Sequence, residues 1–433
     1  IRSVSILENE VHRLDLGTGE VTPVWDPAAG ATYTGSVQYS RDGRTLFYSS
    51  DRETEFRHLR SLDLASGEET VLSGAIPWDV TSIQQSGDGD FLVVGVNEDG
   101  RTRYLVHDVT SGTNAPLELP LTGLYSVDLH PERALLRVNH TDPTGVSRGY
   151  VFDMASGELT HWIGPEPVEA EVPEARLVRF PTFDSVDGAP RTISAFVYPA
   201  VGQGPHPVML QIHGGPESQA RLTTSYSMAQ KMGLTVIAPN VRGSTGYGRT
   251  FTGLDNGFRR EDSVRDIGAL LDWIGAQPDM DSERVMVSGG SYGGYMVLAS
   301  LVHFGERLRC GIDVVGISHF VTFLENTADY RRDLRRVEYG DERDPEMRAF
   351  LDSISPLNHA ERIVSRLMIV QGANDPRVPV TESRQFVERL RANGTEVAYI
   401  EADNEGHGFR NPWNALYAGV AQMEMGLDCL AGG

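Results

Sequence analysis

The most informative segment of this sequence is Val285-Met286-Val287-Ser288-Gly289-Gly290-Ser291-Tyr292-Gly293-Gly294-Tyr295-Met296. It indicates both the fold class and the type of reaction. Residues 284–288 are mainly apolar and β-branched, which favours a buried parallel strand. Residues 292–304 hold few helix breakers after Gly294 and favour a helix. Ser291 lies between them in a G-x-S-x-G turn, where glycines leave room for the serine hydroxyl to stand clear of the sheet. The stretch predicts a nucleophile elbow and acyl transfer through Ser291; the alternative is a glycine-rich turn with a surface serine.

The composition bounds the size and the partners of the molecule. A chain of 433 residues has room for two or three domains and a large core. The formal net charge of −22 argues against nucleic acid or an anionic membrane as a partner. No apolar run is long enough to predict a transmembrane helix. No motif calls for a metal or an organic cofactor, and a homo-oligomer stays open.

The two cysteines, Cys310 and Cys429, form neither a C-x-x-C pair nor a Cys/His cluster with zinc spacing. Cys310 opens an apolar run, which predicts a buried free thiol. Two cysteines do not decide between an oxidising and a reducing compartment.

The first third of the chain repeats one pattern, an aspartate followed by a Ser/Thr-Gly turn. The four aspartates are spaced 48, 45 and 45 residues apart: Asp15, Asp63, Asp108 and Asp153. A period in the forties, built of short strands and turns, is typical of a β-propeller. The turn chemistry explains the repeated Asp and Gly without a ligand.

Each repeat predicts four strands, which make up one propeller blade. Residues 36–163 then hold three blades and residues 4–25 the last hairpin of another, so residues 1–163 form about three and a half blades. An open arc leaves unpaired strand edges, so we expect this chain to be a fragment or a processed form of a longer precursor. Residues 164–174 are acidic and proline-rich and predict a linker.

Residues 175–433 alternate strands and helices, which predicts a doubly wound, mostly parallel sheet. The predicted strands are residues 208–212, 234–239, 285–288, 311–315, 367–371 and 397–401. The predicted helices are residues 218–231, 261–275, 292–304, 382–392 and 413–430. With the serine elbow, this pattern predicts an α/β-hydrolase domain, preceded by a β-propeller that is only partly present.

Two residues downstream of the elbow suit the partners of a catalytic serine. An α/β-hydrolase orders its triad Ser, acid, His, each at the carboxyl end of a strand. Asp375 follows the predicted strand 367–371, and His407 follows the strand 397–401 in a glycine-flanked loop. We expect His407 to act as the general base towards Ser291 and Asp375 to orient its imidazole. His213 is the other candidate base, but it precedes the serine.

The oxyanion of an acyl transfer needs preorganised N–H donors. The backbone N–H of Tyr292, directly after the nucleophile, is one expected donor. The loop His213-Gly214-Gly215-Pro216 follows an earlier strand, and Gly214 is the expected second donor. The alternative is that this loop is a glycine-rich turn with no functional role.

These residues together resemble the prolyl oligopeptidase family of serine peptidases. The matching motifs are residues 213–216, 240–248, 289–294, 355–357, 375–379 and 405–409. The resemblance is close over residues 175–433 and extends to the propeller in outline. It implies an N-terminal propeller that limits access to short peptides, and a triad of Ser291, Asp375 and His407. It also implies that Arg377 binds a substrate backbone carbonyl, where the alternative is a structural salt bridge.

The chain departs from the family in two respects. It shows about half of the usual propeller, so access control is not defined. The dipeptidyl-peptidase branch anchors the substrate amine with a glutamate pair on the propeller, and only Glu53 and Glu55 are candidates here. We expect those two to form a solvated loop instead, so acylaminoacyl-peptidase, oligopeptidase and dipeptidyl-peptidase activities all stay open.

The pocket for the residue before the scissile bond is predicted to use an aromatic segment together with Val378. The aromatic residues are Phe320, Phe323 and Tyr330. Plain core packing is the alternative for them.

Three functions compete. The first is a serine peptidase acting on short peptides. The second is a small-acyl esterase with the same triad, for which Arg377 and a propeller would have little purpose. The third is a non-catalytic binding module, against which the intact triad argues.

Overall fold

The structure is a computed structural model that describes residues 1–26, 30–166 and 172–431. Residues 167–171 of the predicted linker lie outside the described residues. The chain divides into two compact units. The first comprises Ile1–Glu171, Arg221–Ser227 and Thr245–Thr252, and the second comprises Val172–Ala220, Met228–Ser244 and Gly253–Gly433.

The first unit is built of small antiparallel sheets. Its strands are β1 (Arg2–Ser5), β2 (Glu8–Glu10), β3 (His12–Leu14), β4 (Val21–Pro23), β5 (Thr34–Tyr39), β6 (Thr45–Ser50), β7 (His58–Asp63), β8 (Glu69–Val71), β9 (Asp79–Gln85), β10 (Phe91–Glu98), β11 (Arg101–Asp108), β12 (Asn114–Pro116), β13 (Leu124–Leu129), β14 (Leu135–Thr141), β15 (Ser147–Asp153) and β16 (Leu159–Ile163). The strands β5–β8, β9–β12 and β13–β16 form three four-stranded sheets, while β1 pairs with β2 and β3 with β4. Each complete repeat therefore contains the four strands that its sequence predicted.

The repeated aspartates close the hairpin turns, as the turn chemistry predicted. Asp63 Oδ1 accepts the backbone N–H groups of Ala65 and Ser66, at 3.0 and 2.7 Å. Gly67 has φ = 75° and donates its N–H to the Asp63 carbonyl at 2.8 Å. Only glycine adopts that backbone region without strain. The aspartate and the glycine thus act locally on the turn.

The second unit is built around one eight-stranded sheet. Its strands are β17 (Arg176–Val186), β18 (Ala189–Tyr198), β19 (His206–Ile212), β20 (Thr235–Asn240), β21 (Met280–Gly290), β22 (Cys310–Val314), β23 (Arg366–Gly372) and β24 (Val397–Ala402). The strand order is β17-β18-β20-β19-β21-β22-β23-β24. The strand β18 runs antiparallel to both of its neighbours, β17 and β20, and all other neighbouring strands are parallel. The predicted mostly parallel sheet is confirmed, and a β17–β18 hairpin that the sequence did not indicate forms its edge.

Helices cover both faces of this sheet. The helices of the chain are α1 (Ser227–Lys231), α2 (Arg249–Thr252), α3 (Asp262–Gly275), α4 (Tyr292–Phe304), α5 (Phe320–Asn326), α6 (Asp329–Tyr339), α7 (Pro345–Ser353), α8 (Val380–Ala392) and α9 (Pro412–Leu430). A Cβ atom added to Gly311 in β22 would meet Leu301 and Val297 of α4. The adjacent Ile312 packs with Met425 of α9. Since successive residues of a strand point to opposite faces, α4 and α9 lie on opposite sides of the sheet.

The predicted helix 218–231 is wrong over most of its length, since only Ser227–Lys231 is helical. The Thr223 hydroxyl accepts the backbone N–H of Ser225 at 3.2 Å. Such local bonds from hydroxyl side chains compete with the helical pattern.

The predicted free thiol at Cys310 is also wrong, because Cys310 and Cys429 form a disulfide. The two residues are 119 positions apart. Because α9 packs back across β22, its last turn comes beside the start of that strand. The bond depends on this tertiary packing, which the local apolar run around Cys310 does not reveal.

Candidate active site

Ser291 occupies a strained turn between β21 and α4. Its backbone has φ = 59° and ψ = −119°, a combination that costs energy for any residue with a side chain. The Ser291 N–H donates to the Val314 carbonyl at 2.8 Å, and the Ser291 carbonyl accepts from the Tyr295 N–H at 3.1 Å. Bonds to β22 on one side and to the first helical turn on the other hold the serine in this conformation.

Close backbone packing explains two of the glycines in the G-x-S-x-G turn. A Cβ atom on Gly289 would lie 2.4 Å from the Gly293 carbonyl oxygen, and one on Gly293 would lie 2.3 Å from the Ile212 oxygen. At Gly290 the nearest atom would be 3.6 Å away, an ordinary contact. The turn therefore excludes side chains at Gly289 and Gly293, and not at Gly290.

Asp375 and His407 form a hydrogen-bonded pair. The His407 Nδ1 atom lies 2.7 Å from Asp375 Oδ2. The other carboxylate oxygen of Asp375 accepts the backbone N–H groups of Arg377 at 2.8 Å and Val378 at 3.1 Å. The Asp375 side chain is fully buried. These bonds fix the carboxylate and favour the tautomer with the proton on Nδ1, which leaves Nε2 of His407 able to accept a proton.

The loop that carries His407 is held by Glu405, for which the sequence predicted no role. The Glu405 carboxylate accepts the N–H groups of Arg410 at 2.8 Å and Asn411 at 3.0 Å, and the Asn414 amide at 2.8 Å. The bond from Arg410 is the largest of the effects that lower the pKa of Glu405. The motif Glu-Gly-His could have indicated this role. A carboxylate two residues before the histidine can accept hydrogen bonds from the backbone that follows and so fix the loop.

The three predicted triad residues lie at one edge of the sheet. Ser291 follows β21, Asp375 follows β23 and His407 follows β24. The strands β21 and β23 flank β22, and β24 lies beside β23. Because all of these strands are parallel, their carboxyl ends meet at the same edge of the sheet. The structure places Asp375 in contact with His407 and brings the serine turn to the same edge.

The loop after β19 packs directly on the serine turn. A Cβ atom on Gly214 would lie 2.8 Å from the Gly290 oxygen and 3.3 Å from Cβ of Ser291. Only a glycine allows this approach. The predicted oxyanion residues Gly214 and Tyr292 therefore both lie next to Ser291.

His213, the other candidate base, is used elsewhere. Its Nδ1 atom lies 2.8 Å from the Gly214 carbonyl oxygen and its Nε2 atom 2.8 Å from the Ser244 hydroxyl. Burial lowers the pKa of His213, which favours a neutral ring that supports the Gly214 loop.

A buried ionic cluster supports the side chain of Tyr292. Arg260 is fully buried and donates to Asp255 at 2.7 Å, to the Tyr292 hydroxyl at 3.3 Å and to the Glu338 carbonyl at 2.6 Å. The Ser263 and Tyr292 hydroxyls are 2.8 Å apart. Burial raises the pKa of Asp255 to about 6 in spite of Arg260. Removing either charge would leave the other buried and unpaired, which is costly.

A second cluster holds the oxyanion loop. The Arg335 guanidinium donates to the Gly215 carbonyl at 3.1 Å, to the Glu217 carboxylate at 3.1 Å and to Glu338. The Tyr339 hydroxyl also donates to the Gly215 carbonyl, at 3.4 Å. Burial and then the neighbouring Glu217 carboxyl raise the pKa of Glu338 to about 10. The raised pKa favours the protonated form of Glu338 at pH 7, while Arg335 contacts both carboxyls.

Arg377 is exposed and directly follows the acid loop. In the part of the chain that the structure describes, its guanidinium makes no hydrogen bond or ion pair, so the structural salt bridge that was the alternative is not seen there. An unpaired guanidinium is available to a substrate oxygen.

Of the four residues predicted for the pocket, three are buried and one is exposed. Phe320, Phe323 and Val378 have between 0% and 1% of their surface exposed, whereas Tyr330 is 72% exposed. The Phe320 ring packs 5.2 Å from the Tyr339 ring, and Phe323 meets Tyr339 edge-on at 5.7 Å. Phe320 and Phe323 thus form the core under α6, and their role in substrate preference stays a prediction.

Glu55 forms hydrogen bonds with a loop of the first unit. Its carboxylate accepts the Thr250 N–H at 2.7 Å and the Thr250 hydroxyl at 2.8 Å. Glu53 is exposed at the surface. Instead of a purely solvated loop, Glu55 therefore makes structural contacts.

Neither a metal centre nor a membrane span is found within residues 1–26, 30–166 and 172–431. No three His, Cys, Asp or Glu side chains are grouped closely enough to hold a metal ion. No helix in these ranges has the length and apolarity needed to cross a bilayer.

The parallel sheet, the strained serine turn and the Asp–His pair have the arrangement of an α/β-hydrolase domain. The model of the prolyl oligopeptidase family matches residues 220–424. This match confirms the resemblance drawn from the motifs for that segment of the chain.

Individual relatives agree with this assignment. The chain is 28% identical to dipeptidyl aminopeptidase BIII of Pseudoxanthomonas mexicana, over 90% of this chain and 59% of the relative. It is 36% identical to dipeptidyl peptidase family member 6 of Caenorhabditis elegans, over 49% of this chain and 30% of the relative. The structure of a Mycobacterium tuberculosis puromycin-hydrolysing peptidase superposes with a TM-score of 0.83 at 22% identity, over 98% of this chain and 65% of that one. The chain thus spans less than two thirds of each of these proteins.

Proposed function

We propose that the protein is a serine peptidase that hydrolyses short peptides through Ser291, His407 and Asp375. The hydrogen bond between His407 Nδ1 and Asp375, at the sheet edge where Ser291 is held in a strained turn, carries this proposal. The elbow alone would serve any serine hydrolase. The exposed, unpaired Arg377 beside the acid loop favours a peptide over a small ester, because a guanidinium can hold a backbone carbonyl.

In the proposed reaction, the Ser291 hydroxyl attacks the carbonyl carbon of the scissile bond while His407 Nε2 takes its proton. The Asp375 carboxylate stabilises the imidazolium that forms. The N–H groups of Tyr292 and Gly214 bind the oxyanion of the tetrahedral intermediate. His407 then gives the proton to the leaving amine, which leaves an acyl-enzyme on Ser291. Water, activated by His407, hydrolyses this ester in the second half of the reaction.

The domain organisation forms part of the proposal. The three four-stranded sheets and the preceding hairpin of residues 1–163 are blades of a β-propeller, residues 164–174 link it to the second domain, and residues 175–433 are the catalytic domain. The repeat of 45 to 48 residues and the four strands per complete repeat support this.

The test is mass spectrometry of the products from a mixture of short peptides, both free and N-acetylated. We expect cleavage by the wild-type protein and a loss of at least about 10³-fold in kcat for Ser291→Ala. Ser353→Ala, on α7 in the same domain, is the matched control and should keep full activity. Released N-acetylated amino acids would indicate acylaminoacyl chemistry, amino-terminal dipeptides the dipeptidyl mode, and internal cuts an oligopeptidase.

A fluorophosphonate probe separates the competing functions. Labelling of wild type but not of Ser291→Ala, with hydrolysis of small acyl esters and of no peptide, would favour the esterase. Absence of both labelling and hydrolysis would leave the non-catalytic binding module as the explanation and contradict the proposal.

A further inference from the structure

The helix α6 is tied at its start to the loop that carries the catalytic acid. The Thr327 hydroxyl donates to the Arg377 carbonyl at 2.7 Å. The Ala328 N–H donates to the Pro376 carbonyl at 3.2 Å. Arg331 lies in the first turn of α6, where its N–H donates to the Ala328 carbonyl at 3.1 Å. The first turn of this helix is therefore adjacent to Arg377.

One turn further along, α6 reaches the oxyanion loop. Arg335 lies four residues after Arg331 and so projects from the same side of the helix. Its guanidinium contacts the Gly215 carbonyl and the Glu217 carboxylate, each at 3.1 Å. The side of α6 that carries Arg331 thus extends from the acid loop to the oxyanion loop.

The charge of Arg331 is not balanced by any acid in the described ranges. Its side chain is half-buried, and its Nη1 atom is buried without an acceptor. Its electrostatic neighbours include two other cations, Arg335 and Arg377, and burial, followed by Arg335, lowers the pKa of Arg331. An unpaired, partly desolvated cation is unfavourable by itself.

The neighbouring arginines of α6, unlike Arg331, form ion pairs with acidic side chains. Arg332 pairs with Asp329 at 2.8 Å, and Arg336 pairs with Asp333 at 2.8 Å. The chain has 60 acidic against 38 basic residues, so acids to pair with are abundant. Within the described residues, Arg331 and Arg377 are thus two neighbouring cations without an acidic partner.

We propose that Arg331, next to Arg377, is a binding subsite for a carboxylate of the peptide substrate, so that the enzyme prefers acidic peptides. This inference rests on the proposed function and names its substrate class. A guanidinium binds a carboxylate through N–H···O bonds, and the accessible part of the half-buried Arg331 side chain would supply these donors. Arg377 remains free to hold a backbone carbonyl. The carboxylate comes either from an Asp or Glu side chain on the acyl side of the scissile bond or from the free C-terminus of a short peptide.

The experiment compares kcat/KM for peptides that differ only in a carboxylate. One series has Glu, Gln or Lys two residues before the scissile bond, and the other has a free or an amidated C-terminus. We expect wild type to prefer one carboxylate form by about tenfold, the effect of one charge-assisted hydrogen bond. The series that shows the preference identifies the source of the carboxylate. Added salt should weaken the preference.

Arg331→Gln should abolish the preference by lowering kcat/KM for the carboxylate peptide about tenfold, and Arg331→Lys should restore part of it. The matched control is Arg348→Gln, which removes an exposed cation of α7 that pairs with Glu325 and should keep the preference. Thermal midpoints of all variants show whether they fold.

Binding separates this inference from the proposed function. In the Ser291→Ala background, a Glu-containing peptide and its Gln analogue are titrated by calorimetry, with and without Arg331→Gln. Tighter binding of the Glu peptide that depends on Arg331 supports the subsite even if no peptide is cleaved. Equal binding and equal kcat/KM for both forms would overturn the subsite while leaving the peptidase intact.

Discussion

At the scale of single residues, a buried acid, Asp313, lies close to the helix that follows the serine turn, and it has no role in the proposed reaction. Asp313 in β22 is 1% exposed. A Cβ atom on Gly294, in the first turn of α4, would lie 2.2 Å from its Oδ1 atom, and one on Gly316 would lie 2.1 Å away. These two glycines leave just enough room for a carboxyl group under the nucleophile helix.

The Asp313 carboxyl predicts a pH-dependent stability. Burial raises its pKa to about 7, so the folded state keeps a proton that the unfolded state releases near pH 4. Between these values the unfolded chain binds fewer protons, and stability therefore falls as the pH rises from about 4 to about 7, by up to about 4 kcal/mol. Asp313→Asn cannot ionise and should remove this slope.

The measurement is the free energy of unfolding in urea at pH 5 and pH 7.5. Asp272→Asn is the control, since that carboxylate is mostly exposed and pairs with Arg307 on the surface. A difference between wild type and Asp313→Asn that does not change with pH would show that Asp313 is ionised in the folded state.

At the scale of elements, α6 is a helix in which an apolar stripe is left largely outside the core. In the segment Asp329–Tyr339, the apolar residues Tyr330, Leu334 and Val337 recur at helical spacing, yet Tyr330 and Val337 are 72% and 57% exposed. Its charged residues pair three positions apart, as in Asp329 with Arg332 and Asp333 with Arg336. Such pairs stabilise a helix locally, and the buried Tyr339 anchors its end. The apolar spacing was therefore a usable signal for α6, whereas the anchoring of the helix by Tyr339 depends on the packed structure.

Replacing Glu338 or Glu217, the two glutamates around Arg335, by glutamine should have different effects on stability and kcat. Burial and the neighbouring Glu217 carboxyl raise the pKa of Glu338 to about 10, which favours the protonated form at pH 7, so we expect Glu338→Gln to preserve stability and kcat. Glu217→Gln removes the Glu217–Arg335 ion pair from around a largely buried cation. We expect it to cost about 3 kcal/mol and, through the displaced Gly215 carbonyl, to lower kcat by about tenfold with little change in KM.

Urea unfolding and steady-state kinetics of the two variants check this pair. Equal loss in both variants would mean that the two glutamates share the negative charge. A larger loss in Glu338→Gln would mean that Glu338 carries the charge in place of Glu217.

At the scale of the molecule, one covalent bond ties the C-terminal helix to the centre of the sheet. Cys310 begins β22 and Cys429 lies in the last turn of α9. Closing a loop of 119 residues restricts the unfolded chain, so we expect Cys429→Ser or reduction to lower the unfolding free energy by about 2–4 kcal/mol.

Dithiothreitol provides the internal control for the disulfide. Reduction should lower the unfolding midpoint of wild type and leave that of Cys429→Ser unchanged. Two free thiols in unfolded, unreduced wild-type protein would contradict the bond.

Features that depend on local chemistry could be predicted from the sequence. The serine turn, the strand before it, the helix after it, and the hairpins closed by Asp63 and its repeats follow from glycine conformations, apolar runs and short-range hydrogen bonds. Asp375 and His407 were predicted because a parallel sheet brings the carboxyl ends of its strands to one edge. The propeller and the roles of the triad stay proposals.

Only the tertiary structure decided which distant side chains meet. The Cys310–Cys429 bond, the Glu217–Arg335–Glu338 cluster and the unpaired Arg331 beside Arg377 join segments that no local pattern relates. Their properties arise from burial and from the charges around them, since desolvation and neighbouring ions set a pKa or leave a cation without a partner. Those quantities exist only once the chain is packed.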